Sequence, residues 1–190
     1  MEKYFVKQTT SFWIDAAQEF KRVTSITVAA MMMALNTLLG YFKIILIPKV
    51  LTISFASLAV ASCAMVCGPL LSACMAAVAD VIKYIVRPDG PFFIGFTVNE
   101  FLTGFIYGLF FYKCTKVSLT RCICARLVIV LLINLFLTPL WLYVMYGNAF
   151  WAMVSARLLK NVLMFPIDVA LLYLVLTTTS KVMKQKAYQK

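Results

Sequence analysis

Histidine is absent from the 190-residue chain, and acidic residues number only seven against eighteen lysines and arginines. The first absence removes the usual general base, the Ser-His-Asp triad and the commonest metal ligand together. The six cysteines (Cys63, Cys67, Cys74, Cys114, Cys122 and Cys124) include no C-x-x-C pair, so a zinc site or redox motif has little support. They read as small, reduced packing residues. No G-x-x-x-x-G-K-[S/T] phosphate loop occurs, so any ATP-driven step would belong to other chains. Neither D-D-x-x-D nor H-x-x-x-x-D appears, which argues against metal-assisted lipid-phosphate chemistry. No cofactor and no metal site are expected. Charge of either sign is scarce as well, at 13% of residues against about 25% in an average soluble domain.

What fills the chain is apolar surface, 63% of its residues. Such a polypeptide stays in solution only if lipid covers most of it. At about 20 apolar residues per crossing, the length suits an all-α, integral membrane bundle of six transmembrane helices. Apolar runs place them at 22–42, 50–67, 69–86, 95–113, 122–146 and 151–179. Pro48, Gly68-Pro69, the RPDGP run at 87–91, the polar stretch 113–121 and Gly147-Asn148 punctuate the connections. The organisation expected is an N-terminal cytoplasmic or interfacial segment at 1–21, a membrane domain at 22–180 and a basic cytoplasmic tail at 181–190. The first twenty residues lack the continuous apolar core and small-residue cleavage site of a signal peptide. Phe5, Phe12, Trp13, Ile14 and Phe20 would let that stretch lie along the membrane surface.

Lysine and arginine bias orients the bundle. With the N-terminus inside, the inner segments hold Lys3, Lys7, Lys21, Arg22, Lys113, Lys116, Arg121, Lys181, Lys184, Lys186 and Lys190, and the outer connections hold few cations. Both termini are then expected to be cytoplasmic. Much of the net charge of +11 is accounted for by topology, without a nucleic-acid partner. Small residues recur at four-residue spacing at Ala30 and Ala34, Ala73 and Ala77, and Gly104 and Gly108, where helix backbones can approach closely.

Ionisable groups inside membrane helices cost roughly 2.5–3.5 kcal/mol each and need a reason. In the last helix Arg157, Lys160, Asn161, Met164 and Asp168 fall along one stripe. The third helix ends on the same side with Asp80, Lys83 and Tyr84, followed by Arg87. The fourth begins there with Asn99 and Glu100, and Phe92, Phe93, Phe96 and Trp141 lie near. An outward-facing pocket of this kind suits a flat ring bearing carboxylates: arginine grips a carboxylate in two places, lysine supplies a point charge, and aromatic faces stack on the ring. Blander readings exist for each group. Lys83 and Arg87 could snorkel to the interface, Arg157 and Lys160 could pair with Asp80 or Glu100, and Asp168 suits a structural hydrogen-bonding role.

The run GPLLSACMAAVADVIKYIVRPDGPFFIGFTVNEFLTGFIYGLFF (68–111) resembles the S components of energy-coupling factor (ECF) vitamin transporters. The stretch ARLLKNVLMFPIDVALLY (156–173), with its R-x-x-K-N, proline and acidic residue, is similar to the folate-specific branch, as is LTPLWL at 137–142. The resemblance spans residues 22–180. It implies a non-catalytic, membrane-embedded subunit that binds a vitamin near the outer face of the cell membrane, in all expectation a bacterial plasma membrane. The partners implied are a transmembrane T subunit and two cytoplasmic ATPases. It further implies that Arg157, Lys160 and Asn161 bind folate, Arg157 and Lys160 as anion-binding groups, and that Ala30 and Ala34 meet the T subunit. Asp80 is a weaker candidate, as acceptor for the pterin N–H groups; Lys83, Tyr84, Arg87, Phe96 and Asn99 complete the expected site. Asp168 stands where the family pattern leads one to expect Glu. The alternatives are another vitamin (riboflavin, pantothenate, pyridoxine or thiamin), a membrane-embedded lipid or prenyl-phosphate enzyme, and a purely structural or regulatory subunit.

Overall fold

A computed structural model describes residues 12–41, 43–47, 51–86, 91–114, 117–147 and 150–188. Among the described residues, five helical stretches are long and apolar enough to cross a bilayer: Val23–Tyr41, Ala56–Val86, Ile94–Phe111, Leu119–Tyr146 and Lys160–Met183. The 31-residue Ala56–Val86 stretch is broken at Gly68, whose φ of 84° and ψ of 175° are not helical. Among the described residues the bundle then has six helices: α1 (Val23–Tyr41), α2 (56–67), α3 (69–86), α4 (Ile94–Phe111), α5 (Leu119–Tyr146) and α6 (Phe150–Tyr188).

The first connection departs from expectation. Residues expected to begin the second helix at 50 instead form strand β2 (Leu51–Ser54), paired antiparallel with β1 (Lys43–Ile47). Lys43 faces Ser54, Ile44 faces Ile53, and the register shifts between Ile45 and Ile47. The run KIILIPKVLTIS is dense in β-branched residues, which suit a pleated ribbon better than a helix. The second helix therefore starts at Ala56 and is about 18 Å long, shorter than a bilayer core. At the other end of the chain, α6 continues to Tyr188, so residues 181–188 of the expected tail are helical.

α2 and α3 form the centre of the bundle. Val60, Ala61, Cys63, Ala64, Cys67, Ala73 and Ala79 are fully or almost fully enclosed, and the core cluster extends to Tyr107 and Phe111 of α4, Cys122 of α5 and Leu172 and Leu176 of α6. Of the free cysteines, Cys63, Cys67 and Cys122 are buried there, whereas Cys74 and Cys124 are exposed. The break at Gly68-Pro69 has a local cause. Gly68 adopts a conformation essentially reserved for glycine, and Pro69 opens α3 where its missing N–H costs nothing.

The glycines of α4 pack against that break. A Cβ on Gly108 would stand 2.2 Å from Pro69 Cα, and one on Gly104 would stand 2.6 Å from the Ser72 carbonyl oxygen. Ser72 Oγ lies 3.0 Å from the Gly104 carbonyl and 2.7 Å from that of Gly68, which seals the contact. On α1, Asn36 Nδ2 donates to the Ala56 carbonyl at 2.8 Å and ties the first helix to the start of the second.

Before α1, residues 12–18 are helical and continue into a 3-10 turn at Glu19–Lys21. This segment docks on α4. Trp13 stacks on Phe105 with ring centroids 6.0 Å apart, Phe12 meets Tyr112 edge-on, and Lys113 pairs with Asp15. Glu19 is buried and accepts from Ser25, from the Tyr112 hydroxyl at 3.3 Å and from Arg22 at 3.2 Å.

Gly108→Ala should therefore destabilise the fold by about 1–3 kcal/mol or more, the usual cost of forcing atoms into a packed contact. A Cβ at Gly147 would meet nothing within 4 Å, so Gly147→Ala should cost only about 1 kcal/mol for its left-handed φ. Melting midpoints of the two variants in detergent should order accordingly.

Candidate functional site

All six helices converge on one cavity of about 870 Å³, within the range of small-molecule sites. It opens among the ends of α1 and α3 and the beginnings of α4 and α6. Distances along each helix, at about 1.5 Å per residue, give its depth from that end. Lys83 stands near the rim. Asp80 and Glu100 lie roughly 9 Å in, and Arg157 roughly 10 Å in. Lys160 and Asn161 follow about 15 Å in, with Asp168 roughly 27 Å down α6.

The rim is aromatic. Tyr84, Phe92, Phe93 and Phe96 line it; Tyr84 packs on Phe92 with centroids 5.0 Å apart, and Phe93 packs on Phe96 at 6.1 Å and on Trp141 at 5.7 Å. Rings at van der Waals distance from one another leave faces and edges on which a planar ligand can stack.

Below the rim the charges sort into satisfied and unsatisfied. Asp80 accepts a hydrogen bond from Thr97 Oγ1 at 2.8 Å. Arg157 is partly buried and forms no ion pair with a described residue. Glu100 forms none either, although it lies within electrostatic reach of Lys83 and Asp80. The Tyr41 hydroxyl is buried with no partner among the described residues. At the floor, Arg126 of α5 pairs with Asp168 of α6 and donates to the Tyr107 hydroxyl at 3.5 Å, while its Nε has no partner among the described residues. Asn134 Nδ2 donates to Asn161 Oδ1 at 3.1 Å on the wall between.

Asp80, Lys83, Tyr84, Phe96, Arg157, Lys160 and Asn161 of the expected site line this cavity together. Arg87 lies outside the described residues. Asn99 does not line it: this side chain is buried, donates to Thr138 Oγ1 at 3.1 Å and accepts from Trp141 Nε1 at 3.1 Å. Its place near the start of α4 matched the site's depth, but its face of the helix turns toward α5. Arg126, Asn134, Thr103 and Tyr41 line the cavity without having been singled out. The available signal was an arginine and an aspartate, Arg126 and Asp168, in two different apolar runs; charges at such depth are retained only when paired or functional.

A sequence model of the family described as "ECF transporter, substrate-specific component" matches residues 24–176. A folate transporter, FolT, of Clostridium novyi is 35% identical over 153 residues, covering 80% of this chain and 88% of the relative. The FolT of Leuconostoc mesenteroides is 33% identical over 176 residues, covering 90% and 92%. A crystal structure of FolT bound with folic acid superposes with a TM-score of 0.74 at 36% identity, covering 83% of this chain and 95% of that one. Sequence, fold and the cavity agree, and the chain belongs to the substrate-specific components of ECF transporters, membrane-embedded transport subunits with no catalytic role of their own.

Proposed function

We propose that this chain captures folate in the cavity described above, at the outer face of a bacterial plasma membrane, with both termini cytoplasmic. The observation that carries the reading is Arg157, a guanidinium about 10 Å inside the bundle with no anionic partner among the described residues. A ligand carboxylate would supply the missing charge and take two parallel hydrogen bonds from it. Lys160, and Lys83 nearer the rim, add positive potential for a second carboxylate. Tyr84, Phe92, Phe93 and Phe96 offer surfaces for a planar ring, and Asp80, Glu100 and Asn161 offer acceptors or donors for its edge. A flat heterocycle joined to a dicarboxylic tail fits this set, and the relatives named for folate support it.

Uptake would draw on ATP hydrolysed by two cytoplasmic ATPases acting through a transmembrane T subunit. On α1, Ala30 and Ala34 are exposed on a face shared with Met31, Leu35 and Leu38. Small residues there would let a helix of the T subunit approach closely without an inter-helix hydrophobic drive.

Arg157→Ala should weaken folate binding about ten- to a hundredfold, the usual cost of losing a charge-assisted bond, as measured by tryptophan-fluorescence quenching on the purified protein. Equal affinity in the variant, or a preference of the wild type for riboflavin, pantothenate, pyridoxine or thiamin in the same assay, would refute the assignment. Ala30→Trp and Ala34→Trp should abolish copurification with the T subunit while the isolated chain still quenches with folate. Unimpaired copurification would move the docking face elsewhere.

A further inference from the structure

Residues Val130–Leu137, in the middle of α5, are wound as a π-helix. Pro139, two residues beyond it, disfavours α winding locally without fixing the register. It has no amide to offer the Leu135 carbonyl, and its ring crowds the carbonyl four residues back. Thr138 completes the change: its backbone N–H bonds the Ile133 carbonyl, five residues back, and its Oγ1 lies 2.8 Å from the same oxygen. Thr138 is held in turn from the neighbouring helix. Asn99 Nδ2 donates to Thr138 Oγ1, and Asn99 Oδ1 accepts from Trp141 Nε1, both at 3.1 Å. One buried carboxamide on α4 thus grips α5 on both sides of Pro139.

A π turn takes in one residue more than an α turn and so rotates everything beyond it. Val128 and Val144 are both exposed, at 36% and 61%, yet in a straight α-helix they would point about 160° apart. On the opposite side, Arg126 and Ile129 line the cavity and the next residue of α5 to do so is Asn134. That is a step of five, where an α-helix would bring Ile133 toward the same face. Ile133 is instead 3% exposed in the apolar core, and Asn134 reaches Asn161.

We infer that Asn99, Thr138 and Trp141 form a positioning clip that locks the π register of α5, and that this register is what puts Asn134 in the cavity beside Asn161. With one hydrogen bond spent between them, the two carboxamides leave Asn134 Oδ1, the second Asn134 N–H and both Asn161 N–H groups for a guest. An acceptor beside a donor matches the edge of a heterocycle that carries adjacent N–H and carbonyl or ring-nitrogen groups. The clip residues touch no ligand; they act through Asn134. As to the guest, the inference rests on the folate reading above.

A double-mutant cycle tests it. Thr138→Val should weaken folate binding about tenfold, the order of cost for polar groups left without partners, and Thr138→Ser should restore it. In an Asn134→Ala background the same Thr138→Val change should cost less than twofold, because its route to the ligand is already cut. An equal loss in both backgrounds, or no loss in the first, overturns the clip.

A second measurement needs no ligand. Asn134→Cys should react with a small charged thiol reagent and Ile133→Cys should not, counted above the native cysteines. Adding Thr138→Val should reverse the two, and an unchanged pattern overturns the inference. Should the wild type fail to bind folate, the proposed function falls while the labelling still decides the register. If Thr138→Val does not fold, Asn99→Ala removes the clip from the α4 side and passes through both measurements.

Discussion

Hydrocarbon offers no hydrogen bonds, so every polar group inside this bundle must be answered by the protein or by a guest. Most are answered internally. Ser72 closes on the carbonyls at the α3–α4 crossing, Asn36 holds the start of α2, Asn99 is engaged at both ends, and Arg126 and Asp168 neutralise one another. Among the described residues one exception, Asn36 Oδ1, lies away from the cavity, and the others gather around it. Arg157 and Glu100 lack ionic partners among the described residues, and the Tyr41 hydroxyl and Arg126 Nε lack hydrogen bonds there. A membrane protein that leaves such groups unanswered in one place has a ligand-shaped deficit there.

The deficit is maintained by rigid surroundings. α4 can lie against the α3 start only because Gly104 and Gly108 carry no Cβ, and this contact fixes where Asp80 on one helix and Glu100 on the other stand relative to each other. Cores packed this closely transmit displacement rather than absorb it. The Arg126–Asp168 pair plays a related part at the floor. Removing one partner would strand a charge in low dielectric, which is far costlier than the pair itself is stabilising. The cavity therefore has a fixed bottom and fixed walls, with its aromatic residues gathered at the rim.

Much of the architecture was legible in the chain because it is local. Apolar runs, Gly-Pro punctuation and lysine bias act over twenty residues or fewer, and five span-length helices lie close to where they were expected. The start of the second helix, expected at 50, was misread because a short run of leucine, isoleucine and threonine is apolar in a helix or a strand alike, and only pairing of Leu51–Ser54 with Lys43–Ile47 favours the ribbon. The stripe Arg157, Lys160, Asn161 was visible because helical periodicity holds uninterrupted along α6.

Sequence alone determined that the chain is a membrane bundle and that buried cations near one end of it need an explanation, since hydropathy and the cost of charge in lipid depend on composition and spacing. Tertiary structure decided which polar groups are already answered. Arg126 and Asp168 lie 42 residues apart in sequence, and nothing along the chain pairs them. Asn99 has the right depth but the wrong face, and Asn134 has the right face only because α5 is overfilled by a π segment. Depth follows from counting residues along a helix, whereas facing depends on how each helix is rotated against its neighbours, and that rotation is set by contacts between residues far apart in the sequence.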